Sequence, residues 1–130
     1  MKLTENFSLS EFECKCGCKM PKDVFENVKM LAVQLQDIRD CFNARIMINS
    51  AYRCVEHNRA IGSNDSSQHI LGKAADIVIG GNSPDEVADR IESMITDEEV
   101  ILGGLGRYNG FTHIDIRTGN RLAKWDNRTV

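Results

Sequence analysis

Behind Pro21, the apolar residues Val24, Val28, Leu31, Leu35 and Ile38 recur every three or four positions, and Glu26, Lys29, Gln36 and Arg39 fill the opposite face. That period predicts one long amphipathic helix running to about Cys41, with proline tolerated at its first position and Asn43 closing it. Such a stripe is stable only when something covers it. The chain has 130 residues, enough for one domain with a core and too few for two ordinary ones. The cover must therefore come from the segments that follow.

Those segments read mainly as strands. Residues 45–50 (Arg-Ile-Met-Ile-Asn-Ser) predict a first strand with Ala51-Tyr52-Arg53 at its end, and residues 74–79 a second, largely buried one that stops at Gly80-Gly81. Between them lie a short helix over residues 55–60 and a polar loop over residues 62–67. Ser83-Pro84-Asp85-Glu86 is a strong helix start, with Val87, Ile91, Met94 and Ile95 as the buried face. Residues 100–102 and 105–108 read as strand material broken by Gly103-Gly104. Asn109-Gly110 signals a tight turn, and residues 111–117 alternate as a last strand. Residues 1–20 form an N-terminal arm docked by Phe7, Leu9 and Phe12, with Ser10 and Glu13 suited to a short helix start. Trp125 is expected to pack the C-terminal tail. The sum is an α+β fold: a small, mostly antiparallel sheet with helices packed on one side, in a single domain over residues 1–130.

Composition narrows the function. Hydrophobic residues make up 42% and charged residues 27%, the net charge is −3, and no basic stripe runs along the chain, so nucleic acid is not an expected partner. No stretch approaches the roughly 20 apolar residues that cross a bilayer, and the first residues lack the apolar run of a secretory signal. The expectation is a monomer made in a cytoplasm, with no membrane partner. The five cysteines are an odd count for a disulfide framework. Cys14, Cys16, Cys18 and Cys54 allow a second, structural metal. The preferred reading, with Cys41 included, is free thiols or one disulfide formed late, because Cys-x-Cys-x-Cys is not a common structural zinc spacing.

His69 in the polar loop, Asp76 on the second strand and His113 on the last strand are the residues fit for metal chemistry. If those two strands are neighbours, the three side chains meet. Two imidazoles and a carboxylate suit zinc with one position left open for water. On spacing alone, two histidines and an aspartate scattered over some forty residues are more often surface or satisfied core residues of a sheet, with the aspartate anchoring a turn.

Several motifs in order resolve this. Ser67-x-His69-x-x-Gly72-x-Ala74-x-Asp76 resembles the signature of the zinc D-Ala-D-Ala carboxypeptidases and their relatives, among them vancomycin-resistance dipeptidases, phage L-alanyl-D-glutamate endolysins and the hedgehog signalling domain. Ser8-Leu9-Ser10-Glu11-Phe12 is similar to the family's arm. Ile48-Asn49-Ser50-Ala51-Tyr52-Arg53 is similar to its SGYR strand, with Ala51 in place of Gly. Gly103-Gly104-Leu105-Gly106-x-Tyr108 and Phe111-x-His113-x-Asp115-x-Arg117 are similar to its C-terminal hairpin. The resemblance implies one catalytic zinc on His69, Asp76 and His113. It also implies that Arg53 binds a substrate carboxylate or the developing oxyanion, and that the substrate is peptidoglycan peptide. Ser67 is expected to position His69 and Gln68 to line the groove, while His57 is expected to be structural. The resemblance further implies action at the cell wall after phage-type release, or from a virion.

One departure bears on mechanism. Many relatives carry an acidic base three residues before the last zinc histidine, and others a histidine two before. Here those positions hold Gly110 and Phe111. Asp115, two residues after His113 on the same strand face, is left as either the catalytic base or the partner that orients His113. Small murein endopeptidases with His-x-Asp share this pattern.

Overall fold

The computed structural model describes residues 1–129. Helix α1 spans Lys22–Phe42, with Pro21 just outside it, and buries Val24, Val28, Leu31, Ala32, Leu35, Ile38 and Phe42. Asn43 ends it in the left-handed conformation (φ 48°), which asparagine tolerates better than most residues. The rest of the order is β1 (Ile46–Ser50), α2 (Val55–Ala60), β2 (Ala74–Ile79), α3 (Pro84–Thr96), β3 (Gly104–Arg107), β4 (Thr112–Asp115) and β5 (Ala123–Asp126). Ser83 caps α3 by accepting from the Glu86 N–H, and Glu86 accepts in return from the Ser83 N–H.

The strands form one sheet in the order β1-β2-β4-β3-β5, antiparallel except for the β3–β5 pair. The α+β expectation holds, with helices on one side of a mostly antiparallel sheet. Period-two alternation divides each strand between two faces. Ala75, Ile77, Leu105 and Ile114 turn to the helices and join α1 and α3 in the core. Ser50, Asp76, His113, Gly106 and Trp125 lie at one level across all five strands, paired Ser50 to Asp76, Asp76 to His113, His113 to Gly106 and Gly106 to Trp125. Polar and small residues thus share the face turned away from the core.

The arm docks through Phe7 and Phe12, both buried and edge to face at 6.3 Å. Gln36 of α1 holds its start, accepting from Thr4 Oγ1 and the Asn6 N–H, each at 2.8 Å. Three expectations are corrected. The arm's short 3-10 turn covers Leu9–Phe12 and is closed by Ser8 and Glu11, not by Ser10 and Glu13. Val100 and Leu102 are buried core residues but belong to no strand. The last strand is β5 rather than β4, so Trp125 packs the C-terminal segment as part of the sheet.

Candidate metal centre

Asp76 and His113 are cross-strand partners on β2 and β4, so their side chains rise together from one face. His69 comes in from the loop before β2. Its N–H donates to Ser67 Oγ at 3.2 Å, and its carbonyl accepts from the Arg53 and Gly72 N–H groups. All three side chains are buried.

Each ring nitrogen has an assigned task. His69 Nδ1 lies 2.6 Å from the Ala51 carbonyl, which only accepts, so Nδ1 carries the proton and Nε2 presents its lone pair. His113 Nε2 donates to Asp115 Oδ2 at 2.8 Å, which leaves Nδ1 as the lone-pair nitrogen. Both free nitrogens point at one oxygen: Asp76 Oδ1 is 3.2 Å from His69 Nε2 and 3.0 Å from His113 Nδ1. Three electron-rich atoms converge, and only positive charge between them makes that arrangement favourable. Bonds of 2.0–2.1 Å to a tetrahedral ion would separate such atoms by about 3.3 Å, close to what is found. The residues fit zinc, with the orienting hydrogen bonds that metal-binding histidines need.

Protons compete with a metal for the same atoms. Burial opposes charge on Asp76, but while the rings carry the protons that a metal would displace, His113 and His69 donate to the carboxyl and hold it well below its usual range. Burial likewise disfavours protonated His113, yet Asp115 and Asp76 together raise its pKa. Asp76 Oδ2 is gripped by Arg53 Nη2 at 3.3 Å. Arg53 is itself fixed, with Nε donating to Ser50 Oγ at 3.0 Å and Nη1 to Asn58 Oδ1 at 2.9 Å.

Asp115 is fully buried. Besides His113, it accepts from Arg117 Nε at 2.8 Å and Nη2 at 2.7 Å. Its room is provided by Gly104, its partner on β3: a side-chain carbon there would collide with the carboxylate. Gly106 does the same for Trp125, whose indole would meet that carbon at 2.5 Å. Trp125 lies 5.0 Å from the His113 ring, donates through Nε1 to Tyr108 Oη at 2.8 Å, and is covered by the Arg117 guanidinium at 5.2 Å.

A cleft of ≈ 860 Å³ opens over the centre. One wall is the loop around Ser63, Asn64, Ser67 and Gln68; the other is Tyr108, Phe111 and Trp125; Arg53, His69, Asp76 and His113 form the floor. Tyr108 and Phe111 stack at 4.4 Å. Asp76 is the only carboxylate residue on this lining among the described residues. His57 is half-buried on α2 and takes no part in the cluster. From sequence, Asn58 and Arg117 had no assigned role and Trp125 only that of packing the tail, although Arg117 lies within the hairpin motif that resembles the family's.

No curated protein matches the chain. The resemblance read from the motifs is borne out at family level. Residues 5–115 match Peptidase M15, a span that takes in every metal-facing side chain together with Arg53 and Asp115, and the chain therefore belongs to that family of zinc peptidases.

Proposed function

We propose that this peptidase hydrolyses an amide bond in peptidoglycan stem peptides or their crosslinks, acting at the cell wall after phage-type release or from a virion. The observation that carries the reading is the convergence of His69 Nε2, Asp76 Oδ1 and His113 Nδ1 at the floor of an open cleft. Zinc held there supplies Lewis acidity to water and to the scissile carbonyl.

The chain's own residues supply the rest. Arg53 steadies Asp76 with one N–H and is held by Ser50 and Asn58 through two more, which leaves an N–H on each terminal nitrogen for a substrate carboxylate or the developing oxyanion, both of which suit a guanidinium. Tyr108, Phe111 and Trp125 offer flat apolar surface to the substrate and keep bulk water off that wall. Ser67 and Gln68 meet the peptide from the other side. Asp115 keeps His113 in the tautomer that leaves Nδ1 free. We assign it this role rather than that of base, since its oxygens are occupied by His113 and Arg117 and it is closed to solvent.

The lack of a spare carboxylate on the cleft lining favours one second reading, a zinc-containing binding module without turnover. Purified zinc-loaded protein added to purified peptidoglycan separates the two. Newly freed amines or D-Ala by mass spectrometry, lost on chelation and in His113→Ala, support the peptidase. One zinc bound at this centre with no product on any wall chemotype supports the module.

A further inference from the structure

The four cysteines Cys14, Cys16, Cys18 and Cys54 come together although forty residues separate the first from the last. Cys14 Sγ lies 3.3 Å from Cys16 Sγ and 3.9 Å from Cys54 Sγ, and Cys16 and Cys54 are 3.5 Å apart. All four sulfurs lie within 4.8 Å of one another, and none is paired in a disulfide. We propose that these cysteines hold a second zinc ion as a tetrathiolate, structural rather than catalytic.

The spacing carries the argument. Zinc–sulfur bonds of about 2.3 Å in a tetrahedron put neighbouring sulfurs about 3.8 Å apart. The observed separations scatter around that edge, far from the roughly 2.05 Å of a bonded pair. They are also too tight for an iron–sulfur cluster, whose cysteines must stand around a larger inorganic core. Four sulfurs is a closed set, the composition of structural sites, whereas the His–Asp–His centre leaves a position open.

The backbone is arranged to serve the sulfurs. Gly17 takes φ +83°, with its N–H donating to the Cys14 carbonyl at 3.0 Å, so the Cys-x-Cys-x-Cys stretch bends into a hook instead of splaying alternate side chains. Cys54 stands at the N-cap of α2. The Cys54 N–H donates to Cys14 Sγ and the His57 N–H to Cys54 Sγ, both at 3.4 Å. Such donors offset the charge that thiolates bring to a metal. The site would clip the arm to the segment just after Arg53, beside the bond from the Tyr52 N–H to the Phe12 carbonyl. The site does not depend on the peptidase reading.

The test is a zinc count on the full chain, purified with reductant, saturated with zinc and desalted. Two ions per chain are expected in the native sequence, one in His113→Ala and one in a Cys16→Ser/Cys54→Ser double variant. Cobalt put into His113→Ala should give intense thiolate-to-metal charge-transfer absorption. Native protein provides a second measurement that does not depend on the cysteine variant folding. Iodoacetamide should spare Cys14, Cys16, Cys18 and Cys54 until zinc is stripped. One ion in the native chain and none in His113→Ala would overturn the tetrathiolate while leaving the catalytic centre intact. So would rapid labelling of all four thiols in zinc-saturated protein, or a mass showing them oxidised to disulfides. One ion in the native chain that persists in His113→Ala and carries the thiolate spectrum would sink the catalytic centre instead.

Discussion

At the scale of single residues, the centre depends as much on groups that touch no metal as on those that would. His113 presents Nδ1 because Asp115 takes its other nitrogen, and His69 presents Nε2 because the Ala51 carbonyl takes Nδ1. Replacing Asp115 with Asn keeps the volume but removes the charge that favours this tautomer. Zinc affinity is expected to fall on the order of 10–100-fold, measured by competition with a chromogenic chelator. An unchanged affinity together with lost turnover would return Asp115 to the role of base. His69, Asp76 and His113 were legible in the sequence because each sits inside a spaced motif. Asn58 was not. Its importance comes from Arg53 Nη1 and the Asn64 carbonyl, which its amide joins at 2.9 Å each, and neither is visible from its neighbours in the chain.

At the scale of elements, β3 is a strand selected for what it leaves out. Gly104 and Gly106 alternate with Leu105, so one face of the strand packs the core while the other leaves space for a carboxylate and an indole. Gly104→Ala is expected to destabilise the fold by about 1–3 kcal/mol, the usual cost of overfilling a packed site. It should also weaken zinc binding, since the displaced Asp115 releases His113. Urea unfolding beside a zinc titration checks both, and a stability loss with zinc binding intact would show that Asp115 moves without consequence. Elements with a long period or strong caps, α1, β1, β2 and α3, were readable from sequence. The arm was misread because Ser8–Glu11 and Ser10–Glu13 have the same capping spacing, and only tertiary docking of Phe12 selects the first. Val100 and Leu102 are apolar because they fill the core, while Ile101 between them is exposed, an alternation that periodicity cannot tell from a pleat. β5 is four residues long and joins its neighbour in parallel, with no hairpin turn to announce it.

At the scale of the whole molecule, a sheet with one face given to packing and the other to chemistry ties metal binding to folding. The ligands come from a loop and two strands that are not consecutive in the chain, so the unfolded state offers no ready site. Zinc at a thousandfold excess over its dissociation constant should add about 4 kcal/mol to unfolding. Calorimetry of zinc-saturated and chelated protein checks this, and equal melting temperatures would argue against ions bound only by the folded chain. The sequence allowed Cys54 to join the three cysteines of the arm but could not select that set over free thiols, because the convergence requires the arm to lie along Tyr52.

Trp125 is the chain's only tryptophan, and it stands against a metal-facing imidazole. Its emission is therefore a built-in gauge of the cleft. Ultraviolet excitation of unlabelled protein should give a signal that changes as His113 gains or loses an ion and as a peptide slides across the indole. Binding and release become observable in real time, with no dye and no coupled enzyme.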